Sequence, residues 1–123
     1  PDCRDDTIRA MQGIHALYGP VALLLFAAVL TPLVEELVFR GVFLRVAARN
    51  VHLWLAAAAQ AAVFVLDHDQ PGAYALLSLM ALAAAWLAWR SGGLLAALVL
   101  HGVNNAFASM AVMGITHSIN TAP

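Results

Sequence analysis

The stretch "TPLVEELVFRGVF", Thr31 to Phe43, decides the fold because it places three charged side chains inside an apolar run. These are Glu35, Glu36 and Arg40. Only 11% of the 123 residues are charged, and 63% are hydrophobic. A charged side chain at the centre of a bilayer costs about 2.5–3.5 kcal/mol on insertion scales, so such groups need a partner or a polar cavity. The stretch therefore predicts a membrane helix whose polar face has a function.

The composition argues against an ordinary soluble domain and against a nucleic-acid partner. Roughly half of the residues of a soluble domain are apolar, and long apolar runs with few charges are typical of membrane spans. The formal net charge is −1, which gives no basic footprint for nucleic acid. We predict an integral membrane protein in contact with membrane lipid. Because the chain begins with Pro1 and not with Met, we expect a piece of a longer protein.

Turn residues divide the apolar sequence into four segments, which predicts an all-α membrane bundle of about four transmembrane helices. The breaks are "RNVH", "HDQPG" and "RSGG", which are rich in turn formers or polar residues. We expect Pro32 to kink the first helix. The predicted helices run from about Leu17 to Ala48, Leu53 to Asp67, Ala73 to Trp89 and Leu94 to Met113.

The same pattern predicts three regions along the chain. Residues 1–16 form a polar segment, interpreted as a loop or the end of an interfacial segment. Residues 17–113 form the membrane core, and residues 114–123 form a tail that we interpret as an exposed end.

The spacing of the three charges predicts two different environments. Glu36 and Arg40 are four residues apart with the acid first, so they can pair within one helix. Glu35 is rotated about 100° from Glu36 around the helix axis. It therefore needs a partner from another helix.

Two later segments offer such a partner. "FVLDH" places His68 at the end of the second helix, and "HGVNN" places His101 and Asn105 one turn apart on the fourth. We estimated the depth of each residue in the membrane by counting residues from the turns near the ends of the first and third helices. At 1.5 Å per residue, Glu35 and Asn105 lie about 20 Å deep, His101 about 12–15 Å and His68 about 23 Å. We expect the four side chains to share one polar layer inside the bilayer.

This set of groups suits hydrolysis of an amide without a covalent intermediate. A carboxylate with a histidine can activate a water molecule, and a second histidine with an asparagine can donate hydrogen bonds to an oxyanion. No Ser or Cys is placed beside these histidines to act as a nucleophile. Zn²⁺ held by Glu35, His68 and His101 is the weaker alternative, since the HExxH spacing is missing. A purely structural reading, in which the groups only pair between helices, also remains open.

The three motifs in this order resemble a known family. "EELVFR" matches EExxxR, "FVLDH" matches FxxxH and "HGVNN" matches HxxxN. The chain from about Leu17 to Met113 is similar to the CPBP family of CAAX proteases and bacteriocin-processing enzymes, the type II CAAX prenyl endopeptidase-like family. Each motif is weak alone, and the ordered set on apolar helices is specific.

The resemblance implies an intramembrane endopeptidase with its active site within the bilayer. Glu35 resembles the water-activating glutamate, assisted by His68. His101 and Asn105 resemble the pair that stabilises the oxyanion. Three further residues would support the structure of the site: Glu36, Arg40 and Phe64.

The resemblance also implies substrates and a location. The substrate would be a peptide or protein, either a prenylated CAAX protein or a bacteriocin-like peptide, cut in the bacterial plasma membrane. Members have also been classed as metalloproteases; we prefer a glutamate-based mechanism without a cofactor and keep Zn as the alternative. The competing function is a non-catalytic immunity or scaffold protein that retains the motifs. A transporter is a weaker option, because it would normally need more spans.

Overall fold

The computed structural model describes the backbone of residues 3–68 and 70–121, and the side chains of residues 6–68 and 70–114. Within these residues the chain is all-α and has no strand, as predicted. Three helical stretches are long and apolar enough to cross a membrane: Asp6–Ala47, Pro71–Ser91 and Leu95–Gly114. The fourth predicted span, Leu53–Asp67, is apolar but has only 15 residues. It extends for about 22 Å, which is less than the roughly 30 Å of a hydrocarbon core.

The first predicted helix belongs to a longer helical stretch that alternates α and π geometry. The residues before Leu17, interpreted as a loop or an interfacial end, are helical from Cys3 onward, so the loop interpretation is wrong. The successive segments are α1 (Cys3–Leu25), a π-helical turn (Phe26–Leu30), α2 (Thr31–Glu36), a second π-helical turn (Leu37–Phe43) and α3 (Leu44–Ala47).

The remaining helices begin close to their predicted positions. They are α4 (Leu53–Asp67), a short 3₁₀ turn (Pro71–Ala73), α5 (Tyr74–Ser91) and α6 (Leu95–Thr121). The predicted end of the last helix near Met113 is wrong, because α6 continues through most of the predicted tail. The prediction that the tail is exposed concerns side chains that lie outside the described residues.

The break in α1 comes at a position that the sequence reasoning passed over. Gly19 has φ 83° and ψ 176°, a left-handed backbone region that glycine enters without a Cβ penalty. Pro20 follows, and its missing N–H is tolerated in the first turn of a helix. The dipeptide Gly-Pro is a strong break signal in the sequence, so this interruption could have been predicted.

Pro32, the expected kink, follows directly after a π-helical turn. In that turn the N–H of Thr31 donates to the carbonyl of Phe26, five residues back. In the same register Pro32 would pair with Ala27, but proline has no N–H. The side-chain Nδ2 of Asn105 on α6 donates to the Ala27 carbonyl at 2.9 Å instead. The disruption by Pro32 is therefore compensated by a side chain from a distant part of the sequence.

The described chain divides into two compact units. In the unit Leu33–His101, α4 packs against α5, and many of the buried contacts are made by alanines, which let membrane helices approach closely. One of its core clusters consists of Phe39, Ala61, Phe64, Val65 and Ala81. A second consists of Leu44, Ala56, Ala57 and Ala85.

The other unit consists of Pro1–Pro32 with Gly102–Pro123, as far as the structure describes them. Here Gly102 on α6 lies against the backbone of Ala28 in the first π-helical turn. A Cβ added at Gly102 would lie 2.6 Å from the Ala28 carbonyl oxygen. Only a residue without a side chain fits this contact.

We predict that Gly102→Ala destabilises the protein by about 1–3 kcal/mol, the usual cost of overpacking a tight contact. Thermal unfolding in detergent measures the effect as a lower Tm. Gly114→Ala on the same helix is the matched control, because nothing lies within 4 Å of its added Cβ. Equal melting of the two variants would contradict the close approach.

Candidate active site

The predicted pair of Glu36 and Arg40 is confirmed and fully buried. Arg40 Nη1 donates to Glu36 Oε1 at 2.9 Å, and both side chains are 1% exposed. Arg40 lies in the second π-helical turn, and its Nη2 donates to the carbonyl of Ala81 on α5 at 3.2 Å. The guanidinium carbon lies 4.8 Å from the centre of the Phe64 ring. The ion pair thus joins α4 and α5 to the helix that carries both glutamates.

His101 on α6 lies between the two glutamates. Its Nδ1 is 2.8 Å from Glu36 Oε1, and its Nε2 is 3.4 Å from Glu35 Oε2. The expectation that Glu35 takes a partner from another helix is confirmed. The sequence did not predict that the same imidazole also contacts Glu36. Each of the two glutamates therefore meets a different nitrogen of the same imidazole ring.

The contacts limit where protons can lie in this cluster. Glu36 is paired with Arg40 and acts as a carboxylate, so His101 Nδ1 donates its hydrogen to it. The Nε2 atom then faces Glu35 within ion-pair distance, although the two atoms do not meet hydrogen-bond geometry. One proton held by either Glu35 or His101 Nε2 leaves the four side chains with no net charge. Neutrality of this kind is what a low-dielectric environment favours.

Exposure separates the two adjacent carboxylates. The Glu35 side chain is 24% exposed, whereas that of Glu36 is 1% exposed. Glu36 Oε1 already accepts two hydrogen bonds, from Arg40 and His101. Glu35 is therefore the glutamate that a water molecule or a substrate can reach.

His68 and Phe64 form the side of the site contributed by α4. His68 Nδ1 lies 2.8 Å from the Phe64 carbonyl oxygen, which can only accept, so Nδ1 carries the hydrogen. The Nε2 atom of neutral His68 is then free to accept a proton. His68 lies close enough to Glu35 to interact with it electrostatically. The Phe64 ring packs against the rings of both His68 and His101, at centroid distances of 4.3 and 5.7 Å.

Asn105 belongs to the other compact unit. One hydrogen of its amide is used on the Ala27 carbonyl, and its Oδ1 accepts from Asn104 Nδ2 at 3.3 Å. An amide NH₂ has two hydrogens, so one remains for another acceptor. The oxyanion role of Asn105 stays a prediction.

The alternative zinc set does not fit the geometry. Within residues 6–68 and 70–114, no three side chains of His, Cys, Asp or Glu are placed to hold a metal ion. His101 Nδ1 faces Glu36 Oε1, a residue outside the predicted ligand set, whereas Nε2 faces Glu35.

Gln60 is a buried polar residue of this region that the sequence reasoning missed. It is 0% exposed, and its Nε2 donates to the Ala81 carbonyl that Arg40 also contacts. The signal was present, because Gln60 is the only residue outside the hydrophobic class between Leu53 and Leu66. The reasoning that selected Glu35, a polar side chain inside an apolar helix, would also have selected Gln60.

We predict that Glu36→Gln lowers stability by about 3–5 kcal/mol, the usual cost of removing one partner of a buried ion pair. Arg40 would keep its charge without a carboxylate to neutralise it. Thermal unfolding in detergent and the yield of folded protein measure the loss. Glu35→Gln is the matched control, since the same change one residue earlier affects a partly exposed group. Equal Tm values for Glu36→Gln and Glu35→Gln would show that the buried ion pair does not stabilise the protein more than the partly exposed acid.

Comparison with known proteins places the chain in a family. No curated protein and no solved structure matches it. The model of the type II CAAX prenyl endopeptidase Rce1-like family matches residues 17–107, which is more than half of the chain and includes all three motifs. The chain therefore belongs to the type II CAAX prenyl endopeptidase Rce1-like family.

Proposed function

We propose that the protein is an intramembrane endopeptidase in which Glu35 activates the attacking water. Family membership supports a membrane protease in general. The observation that carries the assignment to Glu35 is the contrast between two neighbouring carboxylates. Glu35 is partly exposed and faces His101, whereas Glu36 is buried and bound by two donors. Only the first combines access from outside with a carboxylate that is not paired with a permanent cation, as a general base needs.

In the first step Glu35 accepts a proton from a water molecule as the water oxygen bonds to the scissile carbonyl carbon. The carbonyl oxygen becomes an oxyanion. His68 would assist through Nε2, which is left without a hydrogen because Nδ1 donates to the Phe64 carbonyl. A base of this kind contributes about 10²–10⁴-fold to a rate.

We further propose that Glu35 and His101 share one proton, which gives the second feature of the mechanism. When this proton is on His101 Nε2, Glu35 is a carboxylate ready to act as base, and His101 is a hydrogen-bond donor. A donor of this kind can stabilise an oxyanion; the family resemblance alone suggests Asn105 as a second donor. Collapse of the intermediate then breaks the C–N bond, and the proton on Glu35 goes to the leaving nitrogen. The products are a carboxylic acid and an amine.

The substrate class we propose is a peptide with an apolar attachment or an apolar segment. A shallow apolar surface begins one turn after Glu35 along the same helix and is lined by Val38, Val42, Phe43, Val46 and Ala47. A prenyl chain of a CAAX protein or an apolar stretch of a bacteriocin-like peptide would suit it. We place the reaction in the bacterial plasma membrane.

The competing proposal is a non-catalytic immunity or scaffold protein. The buried contact between Arg40 and the Ala81 carbonyl would support it, because such contacts hold helices together without any chemistry. The partly exposed Glu35 argues against it, since a purely structural acid has no need of access. The two proposals differ in whether the unmodified protein turns over any peptide.

We predict that Glu35→Gln reduces turnover by at least about 10²-fold while the protein stays folded, because the amide keeps the shape but cannot accept a proton. The measurement is hydrolysis by purified protein in detergent of a panel of prenylated and unprenylated peptides. Val34→Ala, a change at the exposed residue just before Glu35, is the control for altering this part of the helix. Full activity of Glu35→Gln would remove Glu35 from the mechanism.

We also predict that hydrolysis does not need a metal ion. A carboxylate and a histidine suffice to activate water, and the three residues of the zinc alternative are not arranged as a ligand set. Activity should be unchanged after dialysis against a strong chelator. Loss of activity that stoichiometric Zn²⁺ restores would reverse this conclusion and make His68 and His101 ligands.

A further inference from the structure

The buried amide of Gln60 makes two hydrogen bonds that the proposed chemistry does not use. Its Nε2 donates to the carbonyl of Ala57 in its own helix at 3.1 Å and to the carbonyl of Ala81 on α5 at 3.3 Å. Both amide hydrogens are therefore used. The orientation of the amide is fixed, since the reverse would direct its oxygen at two carbonyl oxygens.

The Ala81 carbonyl is a point where two side chains meet. Arg40 Nη2 donates to it at 3.2 Å, beside the bond from Gln60. Gln60 on α4 therefore bonds to the same carbonyl oxygen of α5 that accepts from Arg40. The side chains of Gln60 and Arg40 are 0% and 1% exposed, so no bulk water competes for these bonds.

The contacts continue from Arg40 to the reacting groups. Arg40 Nη1 holds Glu36 Oε1, and the same oxygen accepts the Nδ1 hydrogen of His101. His101 Nε2 then faces Glu35. A hydrogen-bonded series therefore runs from α4, through α5 and the second π-helical turn, to the histidine beside the proposed base.

We infer that Gln60 is a positioning residue that fixes Arg40 and, through Glu36, the ring orientation and tautomer of His101. This inference rests on the proposed hydrolysis for its kinetic effect, and on the hydrogen bonds alone for its structural effect. The two hydrogen bonds that Gln60 donates fix its amide, and the Ala81 carbonyl is the atom that Gln60 shares with Arg40.

The kinetic test is Gln60→Leu, which removes both donated bonds and the amide oxygen at nearly constant volume. If the hydrogen bonds of Gln60 only stabilise the packing of α4 and α5, Tm falls and kcat is unchanged. A positioning role predicts that kcat falls about 10- to 100-fold, as expected for a small misplacement of reacting groups, with KM unchanged. Gln60→Glu should lower kcat further, because an ionised carboxylate would draw Arg40 away from Glu36.

The kinetic test needs one control variant and one substitute variant. Leu44→Ala is the matched control, because Leu44 is 1% exposed and packs in a cluster of apolar residues only. It should lower Tm and leave kcat unchanged. If Gln60→Leu does not fold, Gln60→Met, which lacks the amide but has similar length, takes its place. A kcat within twofold of the unmodified protein in the folded variant would overturn the inference.

The second readout does not depend on turnover. The protein is labelled with ¹⁵N-histidine, and comparison with His101→Gln assigns the His101 signals. In the unmodified protein, Nδ1 of His101 should carry a hydrogen. The Nδ1 signal of His101 should shift in Gln60→Leu and stay in place in Leu44→Ala. An unchanged signal in Gln60→Leu would overturn the inference. If no peptide is cut by the unmodified protein, the proposed function fails, and this signal still decides whether Gln60 positions His101.

Discussion

The buried ion pair between Glu36 and Arg40 is the constraint on which the unit Leu33–His101 depends. Two charges removed from water are stabilised when they meet each other and when further hydrogen bonds support them. Here Arg40 reaches the Ala81 carbonyl and lies over the Phe64 ring, while Glu36 binds His101. Satisfying one pair thus requires groups from three other helices.

The same constraint produces a difference between two adjacent glutamates. Glu36 is neutralised and held, so its neighbour is the one left with access from outside. Pairs of titratable groups with different environments are the usual way in which a fold assigns different chemical roles to like residues. The shared contact with His101 couples the two, because the hydrogen that Glu36 fixes at Nδ1 leaves Nε2 facing Glu35.

Backbone irregularities place the polar groups in both units. The π-helical turns at Phe26–Leu30 and Leu37–Phe43 widen the helix on either side of α2, and such turns are frequent at functional sites. In the unit that contains α1, the carbonyl left free by Pro32 is bound by Asn105, and Gly102 lets α6 approach the same turn. In a membrane no water can satisfy a free carbonyl, so a neighbouring side chain must do so.

The sequence by itself determined the all-α class, most helix boundaries, the Glu36–Arg40 pair and the need of Glu35 for a partner on another helix. These follow from local periodicity and from the cost of burying charge, which are properties of one segment at a time. It also indicated the family through three ordered motifs. Gln60 and the break at Gly19 carried readable signals that were passed over.

Only the tertiary structure decided that one histidine contacts both glutamates, that Glu35 is partly exposed while Glu36 is buried, and that Gln60 and Arg40 share a carbonyl. Each of these depends on which side chains of different helices approach within about 3 Å, and the spacing along a single helix does not contain that information. The π-helical register is likewise a tertiary outcome, because residues such as Leu37 to Phe43 have no sequence signal that separates an i→i+5 turn from an ordinary helix. In this register Arg40 contacts Glu36 and the Ala81 carbonyl.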